Sequence, residues 1–328
     1  MGFATWLAIG LIGAAACAAG SPGPASAQTN FPTKPIIIVV PYPPGGSTDA
    51  LARLLGKKMS EDLGQPVLVE NRAGASGSIG SAHVAMSPPD GYTLLLGAGT
   101  TLAVNPHLYK NLAYDPLKGF TPVVLATYLP SIVAVHPSLP VANIGELTTY
   151  IKANRGKVNY ASGGNGTPSH LGAELYRRTA KVEMNHIPYK GGASALTDLV
   201  GGHTQLMFPY LAESMTYVKS GKLKAVAVTT AKRSALLPDL PTAAESGLPG
   251  FEMVGWYGFV APAGTPAGTI QILNRAFNNA LADPGIRSSL ESQAFEIAGG
   301  SPDEFGAVIV AEHGKWGQVI RDAGISAD

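Results

Sequence analysis

Cysteine is all but missing: the single one, Cys17, lies in an apolar N-terminal stretch. Beyond that stretch the chain can form no disulfide and offers no thiol nucleophile, so stability has to come from core burial. Charge is scarce as well. Only 14% of residues are charged and the formal net charge is +1, which excludes a bulk electrostatic pull toward nucleic acid. Past the N-terminus no segment is apolar over the length that a membrane-spanning helix needs. Enzyme motifs are absent too. No G-x-S-x-G elbow occurs: Gly74-Ala75-Ser76-Gly77-Ser78 lacks the last glycine, and Ser162 follows Tyr160-Ala161. None of His83, His107, His136, His170, His186, His203 and His313 belongs to an H-E-x-x-H motif, and His170 with Glu174 alone is too little for zinc. There is no G-x-x-x-x-G-K-[ST], and Gly97–Leu102 and Gly164–Ser169 each miss the last glycine of G-x-G-x-x-G. Nothing singles out a pair of acids for glycoside hydrolysis. No cofactor, no metal and no catalytic residue are expected.

What is present begins with a leader. Phe3 to Ala19 is nearly all apolar or small, and Ala25-Ser26-Ala27 gives an A-x-A cleavage pattern before Gln28, so residues 1–27 read as a signal peptide. No Lys or Arg precedes the apolar run. A stop-transfer anchor is the rival, but the run is short and rich in Ala and Gly. A lipoprotein site at Cys17 is another, but Ala14-Ala15-Ala16 lacks the usual large aliphatic residue. The remaining stretch of about 300 residues fits two domains and export to a bacterial periplasm.

Strands and helices alternate throughout, an α/β pattern. Strands are predicted at Ile36–Val40, Val67–Glu70, Thr93–Leu96 and Phe120–Ala126, with helices from Ala50 and over Ser78–Met86. A second block has strands at Ile132–Val135, Val158–Ala161, Met184–Ile187, Leu206–Phe208 and Leu223–Thr229. Asn143 with Glu146 reads as a capping box, as do Ser301 and Glu304, while Thr167-Pro168 and Thr265-Pro266 read as helix starts. The extended runs Thr127–Pro130 and Glu252–Val260 look like two crossings between lobes. They imply a discontinuous first lobe (28–128 plus 254–328), a second lobe (129–253) and a hinged cleft.

Four glycine-rich junctions between strand and helix are candidate binding loops: Tyr42–Asp49, Gly97–Thr101, Ser162–Thr167 and Tyr189–Ala193. Glycine permits close backbone approach, and a helix start adds roughly half a positive charge. Loops of this kind lie at the carboxyl ends of strands, where ligands of open α/β sheets bind. Gly45, Gly46, Gly163, Asn165, Gly166 and Gly191 would bring backbone N–H groups. Ser47, Thr48, Thr100, Thr101, Ser162 and Thr167 would add hydroxyls. Tyr42, Tyr189 and Phe208 would wall the middle, so that an anionic group is gripped at each end. Each loop taken singly reads more readily as a tight turn; four in one chain, two per lobe, shift the reading toward a site. Asp49 stands four residues before Arg53, which suggests a local ion pair, with ligand contact the alternative. His170 could point into the cleft or fix its own loop. Lys190 could meet a carboxylate or stay solvated, and Trp256 and Tyr257 could line the cleft or pack the hinge.

The residues Pro41–Arg53 resemble the signature of the tripartite tricarboxylate transporter receptors, also called Bug-type solute-binding proteins, with Tyr42 where Phe is common. Val69–Ala75, Pro89–Thr93, Tyr160–Ser162 with Gly166-Thr167 and His170-Leu171, and Pro188–Gly192 match in the same order. The resemblance implies a two-lobed, type II periplasmic-binding-protein-like fold, each lobe a mixed sheet flanked by helices and joined by two hinge crossings. It implies a small carboxylate ligand held by main-chain groups, hydroxyls and water rather than by arginine. The implied partners are the large and small integral-membrane subunits of a tripartite secondary transporter, served by a monomer that binds no nucleic acid. A ligand-presenting sensor for a two-component system and a secreted hydrolase are the alternatives.

Overall fold

The computed structural model describes Gly2 and residues 31–327; apart from Gly2, the leader expected over 1–27 lies outside the described residues. In chain order the elements are β1 (Ile36–Val40), α1 (Ser47–Leu63), β2 (Val67–Asn71), α2 (Ser78–Ala85), β3 (Thr93–Ala98), α3 (Asn105–Leu108), β4 (Phe120–Leu129), β5 (Ile132–Val135), α4 (Ile144–Ala153), β6 (Asn159–Ser162), α5 (Pro168–Ala180), β7 (Asn185–Pro188), α6 (Gly192–Val200), β8 (Leu206–Met207), α7 (Leu211–Lys219), β9 (Lys224–Val228), β10 (Gly255–Pro262), α8 (Ala267–Ala282), α9 (Pro284–Ser292), β11 (Glu296–Ile297) and α10 (Pro302–Ala323). A π-helical turn, Thr100–Val104, joins β3 to α3.

The strands form two sheets, ordered β11-β4-β10-β3-β1-β2 and β7-β6-β8-β5-β9. With β11 set aside the two orders are the same. Each sheet has a parallel unit (β2-β1-β3; β7-β6-β8), then one antiparallel strand brought in by a crossing of the chain (β10; β5), then a last strand (β4; β9). The molecule is therefore two-lobed, with a mixed sheet flanked by helices in each half. Ile36, Ile38, Val39 and Val40 are fully buried because the sheet is covered on both faces, which is why β1 reads as an unbroken apolar run. On α1, Leu51, Ala52, Leu55 and Met59 recur at helical spacing and are fully buried; Leu54 is half-buried.

The helix starts match and miss for identifiable reasons. The Asn143 side chain accepts from the Glu146 amide, and Ser301 and Glu304 cap each other reciprocally. Thr167 holds the N-cap position of α5 but donates its hydroxyl back to the Gly164 carbonyl at 2.7 Å. Thr265 likewise donates to Pro262 O at 2.8 Å, and Pro266 occupies the N-cap of α8. In both places the hydroxyl closes the preceding turn instead of capping the helix. Helix α1 begins at Ser47, three residues before the expected Ala50, and α7 and α9 were not anticipated.

The two crossings are tied together at Thr229, which is fully buried. Its amide donates to Ser131 O at 2.9 Å and its carbonyl accepts from the Met253 amide at 2.9 Å. Its hydroxyl lies 3.0 Å from Ser131 O and 2.5 Å from Met253 O. Helix α10 straddles the halves: Phe305, Ile309, Trp316 and Val319 share one apolar core with Val39, Leu95 and Leu125 from the first sheet and Val133 and Tyr160 from the second.

Candidate functional site

The parallel strands of both sheets deliver their loops to one region between the halves. In the first lobe, β1 runs out through Pro41 into a turn that needs Gly45 at a φ of +85°. Asp49, in the first turn of α1, reaches back under that turn. Its carboxylate accepts from Gly45 N at 3.0 Å, Arg53 Nε at 3.1 Å and Asn71 Nδ2 at 3.0 Å. Asn71 Nδ2 also donates to Tyr42 O at 3.2 Å, so the acid and the amide fix the loop from below. The Arg53 hydrogen bond first, and then the Gly45 amide, hold the Asp49 carboxyl down at about 2.

The second lobe uses histidine for the same purpose. His170 Nδ1 accepts from Gly166 N at 3.0 Å, and His186 Nε2 lies 2.6 Å from Ser162 Oγ. The two imidazoles stack with centroids 3.9 Å apart, and Tyr160 stacks on His186 at 4.8 Å. Burial first, and then the neighbouring His186, lower His170 to about 4; burial likewise lowers His186. Both rings are therefore neutral at neutral pH and pin the Ser162–His170 loop from inside the lobe.

Four cavities meet at the phenols of Tyr42, Tyr210 and Tyr257. An inner one of about 210 Å³ is lined by Tyr42, Thr100, Tyr210, Trp256 and Tyr257 among others. One of about 180 Å³ belongs to the second lobe, with Gly163, Thr167, Gly191, Phe208 and Glu213. One of about 530 Å³ is formed by Tyr42–Thr48 with Tyr257, and one of about 690 Å³ reaches from Ser47 and Tyr257 to Glu213 and Lys219. Tyr210 lines three of the four. It is set there by the first crossing, because Leu211 N donates to Pro130 O at 2.8 Å and Ile132 N to Pro209 O at 3.1 Å. The facing residue has to be Gly255, since a Cβ there would stand 2.5 Å from Tyr210 Oη.

This region is rich in donors. Burial raises the hydroxyl pKa of Tyr42, Tyr210 and Tyr257, so all three stay protonated. Trp256 Nε1 is buried with no acceptor among the described residues, beside Gly99. Helices α1, α5, α6 and α7 all begin at these cavities without a side-chain cap. By contrast α4, α9 and α10 carry one. Helices α2 and α8 also lack one, but start at residues outside these cavities; the short α3 lacks one too and follows directly on the π-helical turn, its N-cap Val104 lining the inner cavity. Uncapped amides and the positive end of the helix dipole favour an anion or a carbonyl oxygen. Among the described residues Lys219 is the one base lining the four cavities, and no arginine lines them.

Several expected site residues turn elsewhere. Tyr42, Gly45, Gly46, Ser47, Thr48, Thr100, Gly163, Thr167, Gly191 and Phe208 line the cavities. Asp49 is turned under its loop by Arg53, the expected ion pair, at 3.0 Å. Thr101 is fully buried and closes a turn on Ala98. Ser162 is fully buried against His186, and His170 faces the lobe interior rather than the cleft. Tyr189 donates to Asp198 at 2.7 Å, away from the middle it was expected to wall. Asn165 is exposed outside these cavities, as is Lys190, and Gly166 is buried against Leu108. For Asp49, Thr101, Ser162, His170 and Tyr189 a nearer partner inside the lobe satisfies the polar group. Tyr210 and Glu213 were not singled out from the sequence. The spacing of Leu211, Met215 and Val218 after Pro209 was the available sign of their helix.

Comparison with known proteins gives a consistent picture. The profile described as "Tripartite tricarboxylate transporter family receptor" matches residues 51–325. The chain is similar to Protein BugT of Bordetella pertussis, with 36% identity over 317 residues that cover 96% of this chain and 97% of BugT. Among solved structures it is similar to R. palustris Rpa4515 with adipate, at 37% identity and a TM-score of 0.76, covering 90% of this chain and 99% of that one. It is also similar to MatC from Rhodopseudomonas palustris with bound malate, at 33% identity and a TM-score of 0.72, covering 88% and 100%.

Proposed function

The chain belongs to the tripartite tricarboxylate transporter receptor family, and from that premise we propose that it captures a small organic carboxylate between its two lobes. The ligand is a di- or tricarboxylate or a related acid, held by backbone N–H groups, hydroxyls and bridging water. The protein, exported by its leader to the periplasm and acting as a monomer, then delivers the acid unchanged to the large and small membrane subunits of a tripartite secondary transporter. The lobes are residues 28–128 with 254–328, and residues 129–253.

One observation carries this reading: uncapped helix starts from both lobes open on cavities joined through Tyr210. A carboxylate placed there completes the first turn of a helix, and each such contact is worth about 1.5–3 kcal/mol when charge-assisted. Water can carry part of the contact at little loss. Because the donors come from opposite lobes, a ligand meets all of them only when the lobes are together, and that difference in affinity is what drives closure. The hydrolytic alternative has less support. Ser162 and His186 form a close pair, but Ser162 is fully buried and borders none of the four cavities.

A thermal-shift screen of organic acids tests the reading. An acid at a hundredfold excess over its Kd should stabilise the folded chain by about 2.7 kcal/mol, a rise of several degrees in Tm. A well-folded protein whose Tm no carboxylate raises would contradict the proposal.

A further inference from the structure

The second lobe keeps an acid in the cleft that no described residue neutralises. Glu213 lies in the first turn of α7, and its Oε2 is 3.3 Å from where a Cβ of Gly192 would stand, against the uncapped start of α6. It lines the small second-lobe cavity with Gly163, Thr167 and Gly191, and also the large one with Ser47 and Tyr257 of the first lobe. Among the described residues its carboxylate accepts no hydrogen bond and joins no ion pair, although Lys219 borders the same large cavity. The residue is exposed to the open cleft, and the partial desolvation it meets there raises its pKa. A purely structural role would be to complement the α7 dipole, but a capping acid at this position reaches back to the N-cap amide, and Glu213 does not.

We propose that Glu213 sets the specificity of the cleft, selecting a ligand whose second-lobe end carries a hydrogen-bond donor, an ammonium or hydroxyl group, over one that ends there in a second ionised carboxylate. This rests on the carboxylate-capture reading above and divides the acids it allows. The first lobe's amides take the carboxylate, and Glu213 takes the donor at the other end. A symmetrical dicarboxylate would instead bring like charges together in a partly desolvated cavity.

The test is calorimetric titration of the mature protein in neutral buffer with three probe sets of matched chain length: α,ω-dicarboxylates, ω-amino acids and ω-hydroxy acids. The wild type should bind the best amino or hydroxy acid at least about tenfold more tightly than the matched dicarboxylate. Glu213→Gln should move that ratio by about tenfold toward the dicarboxylate, with Tm nearly unchanged. The amino and hydroxy arms tell which donor is preferred. Glu213→Ser, read in the same way, serves if the Gln variant does not fold. A wild type that prefers dicarboxylates, or a ratio indifferent to residue 213, overturns this inference and leaves carboxylate capture standing. If no probe binds the folded protein, the capture reading itself falls and takes this one with it.

Discussion

In the first lobe Asp49 lies beneath its glycine loop with donors from Gly45, Arg53 and Asn71 on its carboxylate, whereas in the second lobe Glu213 stands beside its glycine loop with none among the described residues. The two halves share a strand order and the same placement of loops, so the architecture does not account for the difference. What differs is the means of anchoring. The first lobe anchors its loop with an ionised acid, and the second with a stacked pair of neutral histidines. One scaffold thus carries two chemically unlike half-sites.

The largest separation between the halves should appear in acid. His170 is depressed from its ordinary 6.5 to about 4, so between those values the unfolded chain binds a proton that the folded chain does not. The contribution is complete above pH 6.5 and is lost as pH falls toward 4, amounting to about 3 kcal/mol at most. The Asp49 contribution is present above 3.8 and is lost only as pH falls toward 2. Hydrogen exchange near pH 5 should therefore open the amides of residues 162–170 while those of 41–49 stay protected. Simultaneous opening of both loops would remove the distinction.

Asp49→Ala comes next. It strands the Gly45 amide and the Asn71 side chain, while Arg53 is exposed enough to find water, so a loss of about 2 kcal/mol is expected in urea unfolding. Carboxylate affinity should fall as the loop loosens. A smaller cost, about 1–2 kcal/mol, is expected for Gly255→Ala, because its Cβ would meet Tyr210 Oη at 2.5 Å and force the ring aside. Ligand affinity should drop with it, and an unchanged affinity would remove Tyr210 from the binding cavities. The smallest effect on stability belongs to Glu213→Gln, within about 0.5 kcal/mol in the same unfolding assay, since the carboxylate has no partner to lose among the described residues. A large loss there would make Glu213 a structural acid like Asp49.

Local signals were readable wherever a residue's nearest partner was also near in sequence. The strand Ile36–Val40 shows as a β-branched run, and Asn143–Glu146 and Ser301–Glu304 show as boxes, since each rests on contacts within four residues. Thr167 and Thr265 mislead because the hydroxyl had two local options and took the turn behind it. Helix α7 was overlooked because Leu211–Lys219 is short and contains Ser, Thr and Tyr, which favour a helix only weakly; its start is held by Pro130, distant in sequence.

The order of residues was enough to establish the alternating α/β pattern, the four glycine junctions and the family signature, because backbone preference and hydrophobic period are written locally. It could not say which polar side chains face the cleft. Thr101, Ser162, His170 and Tyr189 turn inward because a partner within the lobe satisfies them. Tyr210, Glu213, Trp256 and Tyr257 line the cleft because the crossings fold back and bring segments far apart in the chain to one place. Which hydrogen bond a side chain makes depends on what arrives beside it in space, and that is known only once the chain has folded.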